Sequence, residues 1–506
     1  MMTDNTPRFA TLGLLMLGIA TPLRPLFAQC PNGTPPPCSR AAPSPAIPPT
    51  SLAVLYFENS SRDTADAYLA DGLTEEIISR LSEVGRLQVK SRYQVRRYRS
   101  DSMENAAQIG RQLAVARIVT GSVRRAGNRL RVTAEMVHTS TGDVVWSERF
   151  DRADTDVLSL QEDLASAVAT AVTGRLLPAE RRALATVPTR NPAAYDAYLL
   201  GRFHWNNRTA PDLVQAAAHF ERAIRADSSF AQAWSGLADA YVLFLPAEYN
   251  VPGIDPDSIL SLAEQAARRA LALNPQLGEA YSSLGEVLEY RLRWTEARAA
   301  FERGVTLSPL YPTAHLWYAY DLEVWNEWNS AVREIERARE LDPYSVVTAV
   351  SLAAAYDGAD RPADADAMFE HVRVLAPDHP LALIFASVHD LSRGDYDHLA
   401  SDFSGLLRVS GMDKDSATDV ERRLRDPALR NAVLRETADR PDRASWRALV
   451  YRAVEGDERM LQYLSELSPD SKRADMGSLV FCGCLGALRG DPRMLAVLSR
   501  FGFPRP

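Results

Sequence analysis

Residues 276–309 read QLGEAYSSLGEVLEYRLRWTEARAAFERGVTLSP, a stretch that ends in a regularly recurring proline. Pro275, Pro309, Pro343 and Pro377 follow one another at equal intervals along the chain. Proline lacks a backbone N–H and disfavours helix in the residue before it. The four prolines therefore predict four helix ends and a structural unit that repeats with a constant period.

Large and small residues keep fixed places between these prolines. Small residues allow two helices to approach closely, and large ones fill the space between neighbouring units. The equivalent positions are Tyr281, Leu284, Gly285, Leu288, Ala297, Phe301 and Gly304 before Pro309, His315, Tyr318, Ala319, Leu322, Ala331, Ile335 and Ala338 before Pro343, and Ala349, Leu352, Ala353, Tyr356, Ala365, Phe369 and Val372 before Pro377.

This pattern resembles the tetratricopeptide repeat, a helix–turn–helix unit of about 34 residues. The resemblance implies an all-α superhelical solenoid over residues 190–410, with degenerate helical repeats and a cap over 411–506. An insertion from Leu245 to Ser258 separates the helices of the second unit, either as a ligand-contacting loop or as a neutral excursion. The fold implies binding of a partner without naming it.

Composition limits the classes of function. The chain has 506 residues, 46% of them apolar, which predicts two to four domains. A net charge of −8 argues against nucleic acid as a partner. The phosphate-loop, zinc-protease, serine-hydrolase and dinucleotide motifs are missing, so the sequence predicts no catalytic residue, cofactor or metal. Cys482 and Cys484 are expected to be core residues of an apolar helix, since two thiols do not complete a zinc site.

The N-terminus has the features of an export signal. An apolar run follows Arg8, and we expect a signal peptide over residues 1–29 that is cleaved, giving a periplasmic or secreted protein. Two alternatives are lipidation at Cys30 and an uncleaved N-terminal anchor. Residues 30–50 form a Pro-rich tether, in which Cys30 and Cys38 either form a disulfide or stay free thiols.

The pattern of apolar and turn residues over 51–185 predicts an α+β domain with the order β-α-β-α-β-β-β-α. Its clearest element is a hairpin around Gly127. The predicted strands cover 51–57, 86–95, 117–125, 129–138 and 144–149, and the predicted helices cover 66–84, 103–115 and 160–176.

Three stretches of this domain carry a second resemblance. They are LADGLTEEII (69–78), TGSVRRAGNRLRVTAE (120–135) and TGDVVWSERFDR (141–152). They resemble the amino-terminal domain of TolB and the related FlgO-like domain, a bacterial module that often precedes tetratricopeptide repeats. The resemblance implies a sensing or docking unit.

Four arginines surround the hairpin of this domain: Arg124, Arg125, Arg129 and Arg131. They are interpreted either as a docking surface for an acidic partner or lipid headgroups, with peripheral membrane association, or as a solvated hairpin tip.

The inner-facing positions of the repeat family form an acidic, partly aromatic stripe in this chain. They are Asp239, Glu279, Glu286, Glu289, Tyr290, Tyr320, Glu323 and Asp357. We interpret the stripe as a groove for a protein or peptide segment with Lys, Arg or a free amine, since complementary charge steers association. The alternative is a set of ordinary solvated positions.

The sequence thus predicts an exported, non-enzymatic scaffold that binds protein or peptide partners in the bacterial cell envelope. The alternative is a ligand-sensing regulatory subunit without its own output domain, which signals to a membrane partner. A hydrolase with an unrecognised site is the third and weakest hypothesis.

Overall fold

The computed structural model describes residues 47–99, 106–153, 156–185, 188–245, 251, 253–439, 444–468 and 479–504. The predicted signal peptide, most of the predicted tether and the Cys30–Cys38 pair lie outside these residues. From Pro48 onward the chain forms one compact unit. Within the described ranges, no helix combines the length and apolar character needed to cross a bilayer.

The N-terminal domain is built on a single mixed sheet. The order across the sheet is β3–β1–β4–β5–β6, with β2 also beside β4. Strand β1 pairs in parallel with β3 and β4, and β2 pairs in parallel with β4. The β4–β5 and β5–β6 pairs are antiparallel. The strands are β1 (Ser51–Val54), β2 (Glu58–Asn59), β3 (Gln88–Val89), β4 (Arg117–Ala126), β5 (Arg129–His138) and β6 (Val144–Ala153).

The predicted hairpin is present, and its first strand extends one residue further than predicted, to Ala126. Ala126 pairs with Arg129, which leaves a two-residue turn at Gly127 and Asn128. Gly127 has a φ of +60°, a conformation that glycine adopts without steric cost.

Five helices accompany the sheet. They are α1 (Ala67–Ser82), α2 (Arg92–Val95), α3 (Ala106–Leu113), α4 (Val157–Thr173) and α5 (Pro178–Leu184). The predicted strand at 86–95 was mostly wrong. Only Gln88–Val89 is a strand, and Arg92–Val95 is helix α2. The cause is a capping box, in which the Gln94 N–H donates to Ser91 Oγ at 3.3 Å and the Ser91 N–H donates to Gln94 Oε1 at 3.1 Å.

Among the described residues, twelve helices then alternate in pairs, as in a tetratricopeptide array. The first helices of the pairs, called A helices here, are α6 (Pro192–Asn207), α8 (Ala231–Val242), α10 (Gly278–Tyr290), α12 (Pro312–Val324), α14 (Val346–Gly358) and α16 (Pro380–Arg393). The second helices, called B helices, are α7 (Ala210–Ala226), α9 (Pro256–Leu273), α11 (Trp294–Leu307), α13 (Trp328–Leu341), α15 (Pro362–Leu375) and α17 (Tyr396–Val409). The last four A helices begin at residues 278, 312, 346 and 380, so the constant period predicted from the prolines is confirmed.

Small and large positions meet inside the pairs. A Cβ at Gly285 of α10 would lie 2.5 Å from the Phe301 ring of α11, and one at Gly201 of α6 would lie 2.7 Å from the Phe220 ring of α7. Real Cβ atoms do not come that close, so a glycine on the A helix is what lets the aromatic ring of the B helix fit.

The α+β domain and the first repeat share one hydrophobic core. Helix α1 packs on α6, where a Cβ at Gly72 would lie 2.6 Å from Leu199 Cδ2. Tyr195 of α6 is fully buried, and its hydroxyl accepts from Gln161 Nε2 of α4 at 2.7 Å. The sequence junction near residue 188 is therefore spanned by tight packing.

After the array, the described helices are α18 (Lys414–Arg425), α19 (Arg430–Ala438), α20 (Ala444–Glu455), α21 (Asp457–Glu466) and α22 (Pro492–Arg500). Residues 479–504, called the return segment here, pack against the array. Cys482 and Cys484 are buried as expected, but they form a disulfide and flank a turn at Gly483, whose φ is +66°. The prediction of an apolar helix at these cysteines was therefore wrong.

Candidate partner-binding groove

The eight residues of the predicted stripe lie on four consecutive A helices, α8, α10, α12 and α14. Their burial differs from the expectation of an open groove. Asp239 and Glu323 are 0% and 2% exposed, Glu286 and Glu289 are 9% and 8% exposed, and the other four residues are half-buried. The stripe therefore faces inward, and other parts of the same chain cover it.

Asp239 of α8 is the first residue of the stripe in the sequence, and its side chain is fully buried. Its carboxylate is 3.9 Å from Arg202 Nη1 of α6, and it accepts from the hydroxyls of Ser283 and, at 3.4 Å, of Tyr311. Burial raises the pKa of Asp239 to about 7, with a further contribution from the negative charge of Glu279.

Helix α2 of the α+β domain contacts the array at the end of α13. Ser91 Oγ donates to the Leu341 carbonyl at 2.8 Å, and Gln94 Nε2 donates to the Glu340 carbonyl at 2.8 Å. Burial lowers the pKa of Arg92, but the charges of Tyr93, Glu75 and Glu279 outweigh it and hold that pKa well above its usual value. Glu279 of the stripe thus faces an arginine from the N-terminal domain.

The middle of the stripe is a buried cluster of carboxyl groups around one guanidinium. Arg298 Nε donates to Asp321 Oδ2 at 2.6 Å, and Arg298 Nη1 donates to Glu327 Oε1 at 2.5 Å. Burial raises the pKa of Glu289, and the negative charges of Glu286 and Asp321 raise it further. Glu289 therefore favours its neutral form beside Asp321.

Asp321 was missed by the sequence analysis. It is fully buried, and it holds the guanidinium of Arg298 more directly than its predicted neighbours do. The signal that could have found it is its place beside Tyr320 on an inward-facing helix, together with Arg298 on the preceding B helix.

The last part of the stripe contacts the return segment. The Phe481 ring lies 5.7 Å from the Tyr320 ring, and Tyr320 Oη shares a hydrogen bond of 2.8 Å with Ser351 Oγ. Arg489 lies near Glu323 and Asp357, and its positive charge counters the rise in the pKa of Glu323 that burial causes.

Asp357 has a second basic partner. His389 of α16 places Nδ1 2.7 Å from Asp357 and Nε2 3.1 Å from Asp366. The carboxyl of Asp357 is thereby held between two repeats.

Three of the four arginines around the hairpin are engaged within the chain. Arg125 pairs with Asp66 at 3.0 Å, and Arg129 and Arg131 both bind Asp151, at 2.5 and 2.8 Å. Arg124 is exposed. Docking of an acidic partner or lipid at this hairpin stays a prediction.

A second concave site lies between the α+β domain and the first repeat. It is an open cleft of about 270 Å³ whose lining is mostly apolar and includes Leu69, Leu130 and Leu199. Arg125 and Asp196 supply its charged groups. Among the described residues, no group of histidine, cysteine and acidic side chains is arranged to hold a metal ion.

The α+β part of the chain matches a known family. Residues 49–167 match the family described as HilA/YgeH-like transcriptional regulator, second domain. The match covers the sheet and most of α4.

One curated relative is the putative adenylate cyclase 3 of Rhizobium meliloti (strain 1021). The two sequences are 30% identical over 266 residues, which is 52% of this chain and 45% of the relative. This chain thus spans less than half of the length of the curated relative it matches.

Solved structures of helical-repeat proteins also align with the chain. Yeast Tom70 aligns over 68% of this chain and 82% of its own, at 12% identity and a TM-score of 0.35. YrrB, titled a TPR protein with an unusual peptide-binding site, aligns over 39% of this chain and 91% of its own, at 22% identity and a TM-score of 0.27. At these values the alignments say nothing about what this chain binds.

Proposed function

We propose that the protein is a non-enzymatic interaction scaffold whose acidic stripe recognises arginine or lysine side chains of a protein partner. One observation carries the proposal: the charge of the stripe already attracts guanidinium groups of the same chain. Arg202 Nη1 lies 3.9 Å from the carboxylate of Asp239. The positive charges of Arg92, Arg298 and Arg489 also act on carboxyl groups of the stripe. Opposite charges attract more strongly in a partly buried site than in open water.

A binding experiment with charge-matched peptides tests this proposal. The probe is a short fluorescent peptide of glycine, alanine and leucine with two arginines, beside twins with glutamine or glutamate at those places. We expect the arginine peptide to bind the full-length protein at least about tenfold more tightly than the glutamate twin, because opposite charges attract across the groove. Fluorescence anisotropy at low and physiological salt measures this difference.

A matched pair of variants locates the binding. Glu279→Gln removes one negative charge from the half-buried end of the stripe, whereas Glu302→Gln removes one from an exposed position of α11. We expect only Glu279→Gln to weaken binding, by about threefold or more. Equal affinity for all three peptides would contradict the proposal. Glu286 and Glu289 are less suitable sites, because both are buried and a change there would also disturb folding.

The envelope context is part of the same proposal. The apolar run after Arg8 and the resemblance to the TolB amino-terminal and FlgO-like module support export through a signal peptide. Cell fractionation and mass spectrometry of the mature N-terminus test it. A soluble envelope product that begins near Gln29 or Cys30 is expected, and an unprocessed cytoplasmic chain would contradict it.

A second candidate function is ligand sensing, and the cleft between the α+β domain and the first repeat favours it. Its apolar lining with two charged groups suits a small amphipathic molecule, and the match to a domain of transcriptional regulators supports a regulatory role. A thermal-shift screen with metabolites tests this alternative. Ala193→Leu, which fills the cleft, should abolish a hit that Ala126→Leu at the exposed hairpin leaves intact.

A further inference from the structure

The return segment lies on helices far behind it in the sequence. Arg489 donates to the Gly358 carbonyl across 131 residues, and Trp294 Nε1 donates to the Gly502 carbonyl at 2.8 Å across 208 residues. The Trp294 and Phe503 rings are stacked at 5.8 Å. A terminal cap has to cover only the last repeat of a solenoid, so these contacts extend further than capping requires.

Arg489 makes the contacts that an arginine of a bound protein partner would make in a binding site. Its guanidinium stacks on the Trp328 ring at 4.1 Å from the centroid and donates to the carbonyls of Gly358 and Gly483. Glu323 and Asp357 of the stripe and Asp360 of the turn after α14 are acidic groups near it. An aromatic face, two carbonyls and three carboxyl groups together make a site that selects arginine.

The backbone beside Arg489 fits the array equally closely. A Cβ at Gly483 would lie 2.1 Å from the Ala354 carbonyl oxygen at the end of α14. The Cys482–Cys484 disulfide flanks this glycine and fixes the turn. Only a glycine-containing turn can approach α14 in this way.

We propose that the return segment is a replaceable cover, which occupies in cis the site where an arginine-bearing turn of a protein partner binds. The inference rests on the proposed function and adds the partner's chemistry and the site's regulation. A partner presents an arginine near a glycine turn and apolar residues, as the return segment does in its sequence LVFCGCLGALRGDP (479–492).

The guanidinium of the cover is incompletely satisfied, which makes the cover replaceable. Among the described residues, the buried Nε of Arg489 has no hydrogen-bond partner. Burial also lowers the pKa of Arg489 to about 10, because the attraction of Glu323, Asp357 and Asp360 only partly offsets the loss of water. A covalently linked segment competes at an effective concentration in the millimolar range. The cover therefore weakens binding of a partner without excluding it.

Two full-length variants with the same change of charge test the inference. Arg489→Ala removes the half-buried guanidinium. Arg493→Ala removes an exposed one of the same segment, which pairs with Asp491 and with Glu458 of α21. The probe is a fluorescent, oxidised peptide that copies residues 479–492. We expect it to bind Arg489→Ala at least about tenfold more tightly than wild type or Arg493→Ala.

Hydrogen exchange on the same proteins reports the cover itself. Amides at the ends of α12 and α14 should exchange faster in Arg489→Ala only. Equal exchange and equal peptide binding in all three proteins would overturn the inference. Faster exchange without peptide binding would overturn the arginine-recognition site and, with it, the proposed function.

Circular dichroism checks that Arg489→Ala is folded. Arg489→Lys provides a second variant, because it keeps the charge but loses the planar stacking and the paired hydrogen bonds. It should bind the peptide with an affinity between those of wild type and Arg489→Ala. Binding by Arg489→Lys as weak as that of wild type, alongside an unfolded Arg489→Ala, would also overturn the inference.

Discussion

At the scale of single residues, the stripe shows that a sequence can predict where a residue lies on a helix without predicting how buried its side chain is. The sequence placed Asp239, Glu323 and their neighbours on inward-facing helix positions, because the repeat period fixes which residues face inward. Their burial was not predicted, since part of it comes from α2 beside Glu279 and from the return segment beside Glu323. These covers are separated from the stripe by long stretches of chain and leave no local signal.

The raised pKa of Asp239 has a consequence for stability. Its folded-state pKa of about 7 exceeds the unfolded value near 4, so the folded protein binds more protons between these pH values. The resulting stabilisation is complete below about pH 4 and is lost as pH rises to about 7. Asp239→Asn removes this dependence while keeping the shape of the side chain.

We therefore expect Asp239→Asn to gain stability relative to wild type as pH rises through this window, by at most about 1.4 kcal/mol per pH unit. Urea unfolding at pH 4.5, 6 and 7.5 measures the difference. Asp397→Asn is the control, because that side chain is 84% exposed. The same pH dependence in wild type and Asp239→Asn would contradict the assignment.

At the scale of helices and turns, the array repeats more than its pattern of side chains. The residues at the A-to-B turns, Leu292, Asn326, Asp360 and Gly394, all have positive φ, and they follow one another with the same period as the prolines. The sequence predicted the helices from the prolines and small residues. It could not predict these turns from residue type, because only one of the four is a glycine.

Gly394→Ala tests the left-handed turn. No side chain blocks a Cβ there, since the nearest atom is 3.9 Å away, so the change adds only backbone strain. We expect a loss of about 1 kcal/mol in the free energy of unfolding. Gly490→Ala, at a site with open space and no positive φ, should be within about 0.5 kcal/mol of wild type. Equal stability of the two variants would contradict a left-handed turn at Gly394.

The misread strand at 86–95 belongs to the same scale. The apolar residues there suit either a strand or a helix. The deciding signal was Ser91 followed three positions later by Gln94, which caps a helix. This short helix then carries the contacts of the α+β domain with Glu340 and Leu341, so the error concealed a link between the two parts of the chain.

At the scale of the whole molecule, the fold class could be predicted and the closure of the groove could not. The constant repeat period and a clear hairpin define an α+β domain followed by a helical array. How the chain returns onto its own array depends on side chains that meet only after folding, such as Arg489 with Trp328. The proposed function depends on that closure, because the same chain contains both the candidate binding site and its occupant.

A double-mutant cycle between Arg489 and Trp328 tests this central claim most directly. The four proteins are wild type, Arg489→Ala, Trp328→Leu and the double variant, and urea unfolding gives the coupling free energy. A recognised, partly desolvated guanidinium predicts a coupling of about 1–2 kcal/mol. The exposed pair Arg493 and Glu458 serves as the control cycle and should give less than about 0.5 kcal/mol. A coupling at Trp328 no larger than that of the exposed pair would contradict the claim that the groove recognises the arginine of its own cover.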